Sequence, residues 1–142
     1  FLRTALNSVS EEKVNVMKFN KLLRARMEEL GIKKEFGSRS LNQGFSGGEQ
    51  KKMEMLQMAI LSPKVAILDE IDSGLDVDAL GEVCSFINEF KKEKAIILIT
   101  HYKRMLHYIH PDKIIVMKDG RVIKEGGHDL ADQIEEQGYD SL

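Results

Sequence analysis

Three groups of residues in this chain have the types and spacing for chemistry. Asp69-Glu70 follows the apolar run Val65-Ala66-Ile67-Leu68, and Thr100-His101 follows a second run, Ala95-Ile96-Ile97-Leu98-Ile99. The third group is Ser46-Gly47-Gly48-Glu49, at the head of a stretch with helical periodicity. A carboxylate delivered by a buried strand can hold a hard cation such as Mg²⁺, often through water. A glutamate beside it can polarise an attacking water. A histidine at the same sheet edge can donate to a phosphate oxygen or help hold that water. Adjacent strand residues point to opposite faces, so Asp69 and Glu70 are expected to have separate tasks. Asp69 alone reads as the polar end of a strand. Asp69, Glu70 and His101 together read as a site.

Ser46 and Glu49 form the S-x-x-E pattern of a capping box, with Ser46 as N-cap. That accounts for the serine and the glutamate. It leaves Gly47 and Gly48 in the first turn, where each glycine weakens a helix by about 1 kcal/mol relative to alanine. A helix N-terminus with bare N–H groups and no side chains in the way is an anion site. The question is which anion occupies it.

The elements that must position these groups follow from periodicity. Residues 1–44 read as helical and polar. Ser10 followed by Glu11 and Glu12 predicts a helix start. Val16, Phe19, Leu23, Met27 and Leu30 then recur at spacings of three and four, and Gly31 is the stop. Residues 37–44 read as a loop. The helix opened by Ser46 carries Met53, Leu56, Ala59 and Ile60 inward and ends before Pro63. Residues 65–68 and 95–99 read as strands buried on both faces. Between them a helix over 77–90 places Leu80, Val83, Ile87 and Phe90 on one side. Residues 102–109 read as a short helix. Apolar residues 114–117 and the run 121–124 flank Asp119-Gly120, a hairpin signal. A last helix covers 129–137. Strand, helix, strand, helix predicts an α/β sheet with parallel central strands, which bind ligands beyond their carboxyl ends.

Composition narrows the classes. The chain has 142 residues, the length of one domain, and 42% of it is hydrophobic. The net charge is −2, with both signs mixed along the chain. This is not the basic stripe of a nucleic-acid binder. No segment approaches the ~20 apolar residues of a membrane helix. The single cysteine, Cys84, permits no internal disulfide, fits a reducing compartment, and reads as small core filling near Leu80, Val83 and Ile87. His101, His107 and His110 have no cysteine or carboxylate cluster beside them, so His107 and His110 read as solvent-facing. Lys18, Lys21, Arg24, Glu28 and Glu29 read as a solvated helix face. Phe1-Leu2-Arg3 reads as mid-helix and the first residue is not methionine, so a piece of a longer protein is expected.

The motifs now combine. FSGGEQ at 45–50, VAILDE at 65–70, SGLD at 73–76 and TH at 100–101 stand in the order and spacing of an ATP-binding-cassette ATPase. The chain resembles that family, in which these are the signature motif, Walker B with its catalytic glutamate, the D-loop and the switch histidine. Transporter cassettes usually read DEPTSALD after Walker B, whereas this chain reads DEIDSGLDVDAL at 69–80. With HYKRMLHYI at 101–109, PDKIIVMKDGRVIKEGG at 111–127 and IEEQGYDSL at 134–142, it is similar to the SufC-type soluble ATPases of SUF iron–sulfur cluster assembly. Ile71 departs from the serine more usual there.

The resemblance implies ATP and Mg²⁺ as cofactors and a head-to-tail sandwich with a second ATPase subunit. Ser46 and the N–H groups of Gly47 and Gly48 would touch the γ-phosphate of ATP held by that subunit, with Glu49 closing the capping box. Asp69 would hold Mg²⁺ by way of water, Glu70 would polarise the attacking water, and His101 would contact the γ-phosphate. Ser73 and Asp76 would sit in the D-loop at the interface. Asp76 reads equally as N-cap of the helix at 77–90. Residues 1–44 would be part of the helical subdomain that docks partners, and residues 45–142 the signature helix and the C-terminal part of the ATPase core. The implied partners are SufB/SufD-type scaffold proteins, with no nucleic acid and no direct membrane insertion. The implied compartment is bacterial cytoplasm or plastid stroma. No G-x-x-x-x-G-K-[ST] occurs in the 142 residues. The chain is therefore expected to be the C-terminal half of an ATPase, without its P-loop and glutamine loop, and inactive by itself. A transporter cassette and a non-hydrolysing half-cassette interaction module are the alternatives. A ribosome-binding member of the superfamily ranks below both.

Overall fold

The computed structural model describes residues 1–39 and 44–138. Part of the expected loop at 37–44 and the last four residues of the 134–142 stretch lie outside them. Helix α1 (Leu2–Val9) closes on Ser10, whose N–H donates to the Leu6 carbonyl at 3.0 Å. Ser10 is thus a helix end, not the expected start. The next helix, α2 (Val16–Glu29), starts instead from Asn15, whose side chain accepts from the Lys18 N–H at 2.9 Å. Both residues can cap, and the end of α1 decides between them. Phe19, Met27 and Leu30 are buried as expected, but Val16 is exposed at the first turn. Gly31, at φ +60°, takes the left-handed conformation that ends the helix. Lys18, Lys21, Arg24, Glu28 and Glu29 are all exposed.

Helix α3 (Gly47–Leu61) is the hub of the core. It buries Met53, Met55, Leu56, Met58, Ala59 and Ile60. That set is wider than one amphipathic stripe, and α1, α2 and α4 (Val77–Phe90) all pack on α3. Strand β1 (Val65–Asp69) pairs in parallel with β2 (Ala95–Ile99), with Val65 opposite Ala95 and Asp69 opposite Ile99. Helix α4 is the crossover between them and buries Leu80, Val83, Cys84 and Ile87. Burial pushes the Cys84 thiol up to about 11, and the charge of Asp72 adds to the effect.

The strands are not buried on both faces. Ala66 and Leu68 point into the core, whereas Val65 and Ile67 are 58% and 66% exposed. Ile97 and Ile99 on β2 are exposed in the same way. Among the described residues, helices cover one face of this sheet only. An apolar run reads the same in sequence whether or not a second layer covers it.

The hairpin forms where expected. Strand β3 (Ile114–Lys118) pairs antiparallel with β4 (Arg121–Gly126). Asp119 at φ +49° and Gly120 at φ +73° make the left-handed two-residue turn that matches strand twist. Helix α5 (His128–Gln137) covers the hairpin with Leu130 and Ile134 against Val116. No helix among the described residues is long and apolar enough to cross a membrane.

Candidate functional site

The parallel register sets the site. The Glu70 N–H donates to the Ile99 carbonyl at 2.9 Å, one step beyond the last strand pair. This places Glu70 beside the end of β2, from which Thr100 and His101 emerge. Glu70 then takes φ +46°. A non-glycine residue in that region costs on the order of 1–3 kcal/mol and must be held by its surroundings. The kink turns Glu70 off the strand, and its Oε1 meets His101 Nδ1 at 3.2 Å. Both side chains are exposed. The Tyr102 ring lies against the His101 imidazole, with centroids 4.1 Å apart.

Asp69 is exposed at the last position of β1, on the bare face of the sheet. Its carboxylate makes no hydrogen bond or ion pair with the described residues, and none joins it to Glu70. The described residues contain no cluster of three His, Cys, Asp or Glu side chains that could hold a metal. A single free carboxylate fits Mg²⁺, which keeps several waters and shares one or two protein carboxylates with phosphate oxygens. It does not fit a caged metal.

The second group forms around the head of α3. Glu49 N–H donates to Ser46 Oγ at 3.3 Å, and Ser46 N–H donates to Glu49 Oε2 at 2.8 Å. The capping box is therefore complete. Hydrogen bonding to the carboxylate from Ser46, its backbone N–H first and its side chain second, holds the Glu49 carboxyl below its ordinary value. Gly47 and Gly48 have no positive φ. A Cβ on Gly47 would lie 3.6 Å from the Gly74 carbonyl oxygen, and one on Gly48 would lie 3.7 Å from Leu75 Cδ2. Both are ordinary contacts. Neither turn geometry nor internal packing requires glycine at these positions. The same distances show that the head of α3 lies against the turn 73–76. Within that turn, Ser73 is exposed and Asp76 Oδ1 accepts from the Ala79 N–H at 2.8 Å, capping α4. No hydrogen bond or ion pair among the described residues joins the Ser46 group to Glu70 or His101.

The structure also supplies a residue that sequence reading passed over. Asp72 is 5% exposed, and its Oδ2 accepts from the Thr100 hydroxyl at 2.8 Å. Nothing in the local pattern announces that burial. His107 and His110 are exposed, as expected.

No family model matches the chain. Its α/β fold, with parallel central strands and a C-terminal antiparallel hairpin, is that of the C-terminal part of an ABC ATPase cassette. The solved structure of MJ0796, described as a dimeric bacterial ABC transporter cassette, superposes with a TM-score of 0.77 at 18% identity. The match covers 89% of this chain and 54% of that one. Among curated relatives, Vegetative protein 296 of Bacillus subtilis is 50% identical over 99% of this chain and 55% of its own length. A probable ABC transporter ATP-binding protein of Streptococcus pyogenes serotype M3 is 48% identical over 98% of this chain and 56% of its own. The chain thus spans little more than half the length of the curated relatives it matches.

Proposed function

We propose that this chain carries the hydrolytic edge of an ABC-type ATPase. The observation that carries this reading is the Glu70–His101 contact of 3.2 Å at the carboxyl edge of the parallel pair. Such an edge is where α/β sheets bind ligands. In this reading Glu70 polarises the water that attacks the γ-phosphate, and His101 holds that water or the phosphate. Asp69 holds Mg²⁺ by way of water, and the ion, when bound, neutralises phosphate charge. Ser46, Gly47 and Gly48 present the head of α3 to the γ-phosphate of ATP bound by a second subunit. Ser73 and Asp76 line the meeting of the two subunits. Support comes from the glycines that packing does not require and from MJ0796, described both as a dimer and as bound to ADP and Pi.

The particular assignment is to SUF-type iron–sulfur cluster assembly, with a SufB/SufD-type scaffold as partner. The stretches DEIDSGLDVDAL and HYKRMLHYI support it. Residues 1–44 are part of the docking subdomain in this reading. The names of several relatives favour a second reading, a transporter cassette. Purification of the protein from its host separates the two. A scaffold pair in the complex supports the first reading, and a transmembrane subunit supports the second.

The ATPase reading is tested by ATP turnover of the protein as its host makes it. Glu70→Gln is expected to lower kcat by about 10²-fold or more. Unchanged turnover in that variant would defeat the reading.

A further inference from the structure

The turns that carry Glu70 and His101 meet at one buried carboxylate. Asp72 is the only buried charged residue among those described. Its Oδ2 takes the Thr100 hydroxyl hydrogen at 2.8 Å, while Oδ1 is buried without a hydrogen-bond partner. Thr100 Oγ1 in turn accepts the Tyr102 N–H at 2.9 Å. The turn 100–102, with His101 at its middle, is therefore anchored from beneath by Asp72 and closed on itself by Thr100. The opposite turn is anchored as well. Ser73 N–H donates to the Glu70 carbonyl at 3.3 Å, and Leu75 N–H donates to the Asp72 carbonyl at 3.4 Å. Asp72 thus belongs to the turn that begins at Glu70 and grips the turn that contains His101.

Packing alone does not explain this residue. Ile71 beside it and Leu75 three residues on are buried apolar side chains. An apolar residue there would fill the space without stranding an oxygen. A buried polar atom left without a partner disfavours the fold, so its presence calls for a reason outside stability.

We propose that Asp72 is a positioning residue that, through the Thr100 hydroxyl, holds the turn 100–102 so that His101 faces Glu70 in the geometry needed for hydrolysis. The proposal rests on the ATPase reading and adds a residue to it. Neither Asp72 nor Thr100 touches the nucleotide in this role, so their loss acts on kcat and leaves binding alone.

The test uses the protein as its host makes it, with steady-state ATP turnover and thermal melting of each variant. Thr100→Val removes the hydroxyl at nearly constant shape and is expected to lower kcat about tenfold or more, with KM for ATP within about twofold. Thr100→Ser keeps the hydroxyl and is expected to restore kcat. Asp72→Ala should fall with Thr100→Val, and the double variant should be no slower than the slower single, because the two act as one unit. If Asp72→Ala does not fold, the Thr100→Val and Thr100→Ser pair decides. Wild-type kcat in Thr100→Val overturns the proposal. So does a loss of kcat in Thr100→Val that Thr100→Ser shares at unchanged melting temperature. Glu70→Gln is the control. If that variant turns over normally, the ATPase reading itself has failed, and the proposal falls with it for a reason the control identifies.

Discussion

Gly48 occupies a first-turn position that would accept a methyl group at ordinary contact distance. Alanine there removes backbone freedom from the unfolded chain and suits a helix better, by about 1 kcal/mol. Gly48→Ala is therefore expected to raise the melting temperature or leave it unchanged. ATP turnover of the host-made protein should fall tenfold or more, since the methyl would stand where a phosphate approaches. A variant that keeps full turnover would show that the glycines serve no phosphate. Glu49 makes a second prediction at this scale. Its carboxyl is held below the ordinary value of 4.5 by hydrogen bonds from Ser46. A lowered carboxyl pKa contributes stability above the unfolded value, and the contribution is lost as pH falls through the folded value. The stability difference between wild type and Glu49→Ala, measured by urea unfolding, should therefore be full at pH 7 and shrink below about pH 4.5. A difference that stays constant into acid would mean the charge plays no part.

Helix α3 joins two jobs in one element. Its head presents Ser46, Gly47 and Gly48, and its body supplies the centre of the core, where Leu56 is 0% exposed. Leu56→Ala is expected to cost about 2–5 kcal/mol, read as a lower urea midpoint with unchanged slope. A cost under about 1 kcal/mol would mean the core collapses into the space, or that α3 is not its centre. Strands β1 and β2 do the corresponding work for Glu70 and His101. Their register, from Val65–Ala95 to Asp69–Ile99, brings together two residues 31 positions apart in the chain.

At the scale of the whole molecule, the 142 residues contain the Glu70–His101 contact at a sheet edge and the two glycines at the head of α3, but no G-x-x-x-x-G-K-[ST]. That loop is what cradles phosphates in P-loop ATPases. The 142-residue chain alone is therefore expected to show no ATP turnover in a coupled assay. Steady turnover by this chain, lost in Glu70→Gln, would overturn the expectation. The exposed face of β1 and β2 belongs to the same picture, because parallel sheets are normally covered on both sides.

Much of this was legible in the residues themselves. Ser46 and Asp76 as caps, Gly31 as a stop and Asp119-Gly120 as a turn all depend on hydrogen bonds or dihedral angles within a few positions. Local sequence determines such features. The same holds for the apolar face of α4, where period 3.6 records which side is buried. The order of the motifs pointed to the cassette fold. Tertiary structure decided the rest. Ser10 reads in sequence as a helix start, but α1 ends on it and Asn15 caps α2 instead. The runs at 65–68 and 95–99 are apolar throughout, so they could not say which face is covered. The meeting of Glu70 with His101, and the burial of Asp72 beneath Thr100, depend on a parallel pairing across α4. No periodicity encodes that pairing. It arises when the core around Leu56 closes and the two strand ends are packed side by side.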